Sequence, residues 1–170
     1  AYKLLSRDNE SITFSLTLIP GIDLIRNYMI TGALDGSDPY IIKHSTTFKN
    51  STPSVFNIDK LFINVGTAAP AEADPRGFYL NFGYFDGEDA KFINVKKFKG
   101  SGFLGFFKRD PVSEIVTKQN TSWAAVKNQF FTGILTPAQA GVGIQTKPVE
   151  FPQFDDAEKA PEGITGSIEF

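Results

Sequence analysis

Residues 11–18 alternate without a fault: Ile12, Phe14, Leu16 and Leu18 share one parity, and Ser11, Thr13, Ser15 and Thr17 share the other. A period of two puts the four apolar side chains on one face of a β-strand, whereas a helix scatters them around its circumference. The segment can bury its apolar half only in a sheet. The same code recurs along the chain. Pro20-Gly21 makes a turn, and residues 23–31 read as a second strand, which predicts a hairpin. A turn at 35–39 leads into an extended stretch at 40–49. Phe78, Leu80, Phe82 and Tyr84 restart the alternation, the Asp86-Gly87-Glu88-Asp89 turn follows, and residues 90–98 return as a further strand.

One segment carries a phase slip. Phe56 and Ile58 share a parity that Leu61, Ile63 and Val65 do not, so a β-bulge at Asp59 or Lys60 is predicted to keep all five inward. Residues 67–76, rich in Ala and Pro, read as a loop. Residues 143–151 form a weaker strand closed by Pro152, and residues 153–163 an acidic, solvated loop. Ile164, Gly166, Ile168 and Phe170 then alternate to the last residue, which predicts that the native polypeptide continues. About ten strands, turns every 8 to 12 residues and no sustained helical period predict an all-β, antiparallel two-sheet β-sandwich with at most one or two short helices. Composition agrees: 17 Phe stand beside 15 Gly and 10 Pro, a balance that favours short strands and turns. A chain of 170 residues suits one domain, residues 1–170, with a real hydrophobic core.

Residues 121–137, TSWAAVKNQFFTGILTP, hold the only tryptophan, Trp123, and the adjacent pair Phe130 and Phe131. Ala124, Ala125 and Lys127 are good helix formers behind Ser122, so a helical turn is expected over 122–128, followed by a strand that Pro137 ends. Trp123, Phe130 and Phe131 are the expected structural anchors of the core.

Candidate chemistry is sparse. Gly100-Ser101-Gly102-Phe103-Leu104-Gly105 spells G-x-G-x-x-G, but a dinucleotide site needs a helix after that turn, and Pro111 leaves no room for one. Phe103, Phe106 and Phe107 either fill the core or form an apolar partner surface. His44, the single histidine, stands mid-strand with no nucleophile motif beside it, and metal sites and triads draw on several such groups. The acidic turns at 35–38 and 86–89 lack the ligand series of a calcium loop. The Asn9, Asn50 and Asn120 sequons carry no weight outside a glycosylating pathway. No catalytic residue, metal ligand or cofactor site is predicted, and no enzyme activity. A net charge of −2 gives no broad attraction to phosphate backbones, which excludes nucleic acid as the expected partner. With no cysteine, the redox compartment is left open.

Trp123-Ala124-Ala125-Val126-Lys127-Asn128-Gln129-Phe130-Phe131, followed by Ile134-Leu135-Thr136-Pro137, resembles the segment of the YidC-type membrane protein insertases (the YidC/Oxa/Alb family) in which a tryptophan introduces a Gln and aromatic strand. Gly21-Ile22-Asp23-Leu24-Ile25-Arg26-Asn27-Tyr28 is similar to that family's turn into a strand with a basic and an aromatic residue. Asn64-Val65-Gly66-Thr67, Phe82-Gly83-Tyr84 and the segment from Phe103 to Phe107 are shorter likenesses. The resemblance implies a fragment of the insertase's large periplasmic domain, a β-supersandwich on the periplasmic side of the bacterial inner membrane, tethered through segments outside this chain. It implies a non-catalytic scaffold or docking module that assists insertion and folding of inner-membrane proteins, with Sec translocon components and nascent membrane proteins as partners. The alternative is a carbohydrate-binding or mutarotase-like β-sandwich.

Overall fold

The alternating segments pair into antiparallel ladders. The computed structural model describes residues 1–30, 40–72, 74, 76–103, 106–151 and 162–170, with the side chains of 101–109 outside that description. The chain is all-β, with a single 3-10 turn as the helical element among the described residues. It divides into two compact units, Ala1–Ile58 and Asp59–Phe170.

The first unit is one four-stranded meander: β1 (Lys3–Arg7), β2 (Ser11–Ile19), β3 (Ile22–Ile30) and β4 (Ile42–Asn50), in that spatial order. The predicted hairpin is β2 with β3. Its register sets Leu16 opposite Leu24, Phe14 opposite Arg26 and Ile12 opposite Tyr28, and β4 adds His44 beside Tyr28 and Phe48 beside Leu24. One face is therefore apolar and aromatic, and the other carries Thr13, Ser15, Asn27, Ser45 and Thr47. On that polar face Asn27 donates to Thr13 Oγ1 at 2.9 Å. Strand β1 left no trace in the pattern because Leu4 and Leu5 are adjacent; the ladder absorbs them with a register shift between Leu4 and Ser6.

The second unit is the sandwich. Its strands are β5 (Phe62–Ala68), β6 (Asn81–Phe85), β7 (Ala90–Asn94), β8 (Ser101–Phe103), β9 (Phe106–Arg109), β10 (Ile115–Thr117), β11 (Ala124–Lys127), β12 (Thr132–Leu135), β13 (Gly143–Glu150) and β14 (Glu162–Glu169). One sheet runs β10-β13-β14-β5, a second runs β12-β11-β6-β7, and β8 with β9 makes a separate hairpin. Phe82, Tyr84, Ile93, Ala124 and Val126 of one sheet meet Ile144, Ile164 and Ile168 of the other in a single buried core. Buried Thr146 is satisfied by donating to the Thr165 carbonyl at 2.7 Å, as an enclosed hydroxyl requires.

Phe82 spans the gap between the sheets. It is fully buried, and a Cβ added to Gly166 on β14 would lie 2.3 Å from its ring. Glycine at 166 thus opens the dent that receives the ring, the close approach that a glycine inside a strand often marks.

Three expectations are corrected. No bulge forms at Asp59 or Lys60: no strand covers 51–61, Phe56 and Ile58 are exposed, and the boundary between the units falls there. The real register shift lies later, where β5 passes Gly166 and Ser167. The helical turn expected at 122–128 is strand β11, because its backbone is shared with β6 and β12 on both sides, and that pairing outweighs the propensity of two alanines. Residues 90–98 do not remain a strand throughout. After Asn94 the chain makes the 3-10 turn Val95–Phe98 and buries both ends of it; residues three apart lie on one side of such a turn but on opposite faces of a strand.

Asn94 fastens this corner. Its Nδ2 lies 3.1, 3.0 and 3.0 Å from the carbonyls of Gly77, Phe78 and Leu80, and its Oδ1 accepts from Lys96 N. Asp74 holds the same loop from the other side, accepting from Phe78 N at 2.9 Å and Tyr79 N at 2.7 Å. Asn94→Asp keeps the cap on Lys96 and removes the amide donors, so it is expected to cost about 1 to 3 kcal/mol. Urea unfolding measures the loss, and faster hydrogen exchange at Phe78 and Tyr79 locates it. Unchanged exchange there contradicts the assignment.

Candidate functional site

The two outer faces of the sandwich differ in chemistry. On the β10-β13-β14-β5 sheet the outward row is Val116, Gln145, Ser167 and Asn64, with Lys147, Thr165 and Thr67 on the row beyond. Its polar groups bond to one another: Gln145 to Glu114 at 2.6 Å, Thr67 to Thr165 at 3.0 Å, Asn64 to Thr165 at 3.2 Å. Its apolar members are Val116, Val149 opposite Gly163, and Phe62 opposite Glu169 at the sheet's margin.

On the β12-β11-β6-β7 sheet the register aligns Ile134, Ala125, Gly83 and Phe92 in one outward row. Ile134 is 65% and Phe92 51% exposed. The Phe92 ring folds over Gly83, where a Cβ would stand 2.8 Å from it, and Trp123 reaches the same spot at 3.6 Å. Lys127 lies 5.6 Å from the Phe92 ring centroid, a cation over an aromatic face. The row is apolar and supported from behind by the core; Ile134 and Phe92 at its two ends are solvated, and Ala125 and Gly83 between them are covered.

Beside it is the tip of the β11–β12 hairpin. Asn128 Oδ1 accepts from the amides of Phe130 and Phe131, both at 2.9 Å, its own amide donates to the Phe131 carbonyl at 3.0 Å, and its Nδ2 donates to the Ala69 carbonyl at 3.1 Å. An Asx-type turn of this kind replaces backbone bonds with side-chain ones and fixes the loop. It holds Phe130 and Phe131 out at 63% and 75% exposure. Fully covering such a side chain gains about 1.5 to 3 kcal/mol, so the tip and the solvated ends of the row leave that gain unrealised in the isolated chain.

The sequence places Trp123, Phe130 and Phe131 in the core, and the structure corrects this. Phe130 and Phe131 are solvated at the hairpin tip, and Trp123 is half-buried on the outer side of its sheet. The core is Phe82, Tyr84 and Phe98 with aliphatic residues. The structure thus brings Trp123 and the Phe pair to one sheet and adds Phe92, Lys127, Asn128 and Ile134, none of which the sequence assigns to a surface. The adjacent Phe92 and Ile93 were the available signal, since successive strand residues face opposite ways. The side chains of Phe103, Phe106 and Phe107 lie outside the described residues. The backbone of residues 106–109 is a strand, not the helix a phosphate-binding turn needs.

The acidic turn at 86–89 gathers no site. Asp86 Oδ1 accepts from Glu88 N and Asp89 N at 3.0 and 2.8 Å; those amides, with Lys91, hold its carboxyl below the usual range. The 35–38 turn lies outside the described residues, and among those described no three His, Cys, Asp or Glu side chains converge as a metal site.

His44 stacks on Tyr28 with ring centroids 4.6 Å apart and has Thr46 Oγ1 3.2 Å from Nε2. Burial first, and the charge of Arg26 second, lower its pKa from the ordinary 6.5. The fold therefore favours the neutral ring, and the unfolded chain takes the proton first as pH falls. The contribution of His44 to the stability of the first unit is expected to fall as pH drops from 6.5 through the lowered midpoint, and to be constant below it. An NMR titration of the ring checks this: the midpoint lies below 6.5, and Arg26→Met moves it up without fully restoring it. A midpoint at or above 6.5 contradicts the account.

No helix among the described residues is long and apolar enough to cross a membrane. Comparison with protein-family models, with curated proteins and with solved structures finds no match.

Proposed function

We propose that this chain is a non-catalytic periplasmic module of a YidC-type membrane protein insertase, and that it docks a Sec translocon component or an emerging membrane protein beside the inner membrane. The observation that carries the docking role is the outward apolar row Ile134–Ala125–Gly83–Phe92 beside the fixed Phe130-Phe131 tip. The hydrogen-bonded polar groups in the central rows of the opposite sheet's outer face make the contrast. The family assignment rests on the resemblance of residues 123–131 and 134–137, and an antiparallel sandwich is the fold that resemblance implies. A sugar site needs uncommitted polar groups beside its aromatic rings. Here the side chains of Asn94 and Asn128 are engaged with backbone groups.

Two experiments test the proposal. The coding sequence flanking this segment is expected to specify one membrane-spanning helix before it and five after it; flanks without them remove the family assignment. Deleting the segment from the full-length protein is expected to reduce crosslinking to Sec components more than it reduces insertion. If every Sec crosslink survives the deletion, the docking role is wrong.

A further inference from the structure

The apolar face of the first unit carries Arg26, a cation with no counter-ion among the described residues. Phe14 on β2 and Arg26 on β3 are direct cross-strand neighbours, and Tyr28 stands two residues along β3 on the same face. With Tyr2 these residues line a groove of about 420 Å³ whose walls are mostly apolar. The Arg26 guanidinium lies 5.5 Å from the centroid of the Tyr2 ring. Its Nε is shielded from water and has no hydrogen-bond partner among the described residues. No carboxylate among the described residues forms an ion pair with it.

A guanidinium stays charged at every physiological pH, and a charge against apolar walls is costly until an anion meets it. Its planar donor fork matches carboxylate and phosphate oxygens. Arg26 is the one cation among the described lining residues, so a monoanion is neutralised and a phosphate dianion is not. The volume falls within the range of small-molecule sites, and three aromatic rings suit an apolar body. We propose that this groove binds a small organic monocarboxylate, with its carboxylate on Arg26 and its apolar body against Tyr2, Phe14 and Tyr28. The proposal is independent of the docking role assigned to the second unit.

The test is titration of the whole chain with 3-phenylpropanoate, followed by NMR at the Tyr28 and His44 rings and by calorimetry. Saturable binding with a Kd on the order of a millimolar is expected for a ligand of that size. The neutral analogue 3-phenylpropanamide is expected to bind at least about tenfold more weakly, since it lacks the charge-assisted bond. Arg26→Met is expected to lose about the same factor for the acid. Inorganic phosphate is expected to compete poorly. Equal binding of acid and amide by the unaltered protein overturns the proposal with no variant needed. So does an Arg26→Met protein that binds the acid as well as before, phosphate that competes as well as the acid, or the absence of saturable shifts with 3-phenylpropanoate.

Discussion

Replacing Phe82 by alanine lowers the unfolding free energy of the second unit by about 3 to 5 kcal/mol. The ring is fully buried on β6 and reaches across the core to the backbone of Gly166 on β14. Its removal exposes a void that neither sheet can close alone, because each is held in register by its own ladder. Trp123, half-buried on the outer side of the same sheet, is the natural fluorescence reporter. The urea midpoint falls while the slope is kept. Gly166→Ala meets the same ring from the other side, and combining it with Phe82→Leu recovers part of its cost, because the two residues share one space. A Phe82→Ala cost under about 1 kcal/mol means that the sheets do not meet at this ring.

The second large effect is on association. Changing Phe131 and Ile134 together to serine is expected to weaken capture of the partner by about tenfold or more, since exposed apolar anchors of this kind dominate interface energy. The same change is expected to cost the fold less than about 1 kcal/mol, because both side chains are solvated in the free protein. Val116→Ser, at an exposed position on the opposite sheet, is the control and is expected to change neither property. Affinity measured by co-purification from detergent-solubilised membranes, beside urea unfolding of each variant, separates the two effects. Loss of folding parallel to loss of capture assigns Phe131 and Ile134 to the core.

The parts of the fold legible in the sequence are those where one strand face is uniformly apolar. Residues 11–18 and their hairpin with β3 follow directly from parity, as do the inward positions of Phe82, Tyr84, Ile164 and Ile168. What could not be read is set by partners distant in the chain. Ala124 and Ala125 are helix formers by intrinsic preference, and only the neighbours β6 and β12 make them a central strand. General burial habits assign Trp123 and the Phe pair to the core. Yet Asn128, whose side chain takes both Phe amides, shows that the pair belongs to a turn, and a turn at a hairpin end faces water. The outward row was hidden because it is composed of Ile134, Ala125, Gly83 and Phe92, one residue from each of four strands. Register alone brings them into line.

The most direct test of the partner face is site-specific photo-crosslinking in membranes that contain the full-length protein. A photoreactive residue is placed in turn at positions 131 and 134 on one sheet, and at 145 and 167 on the other. Adducts with a Sec component or a nascent membrane protein from 131 and 134, and none from 145 and 167, are the predicted result. Equal adducts from both sheets, or none from 131 and 134, contradict it.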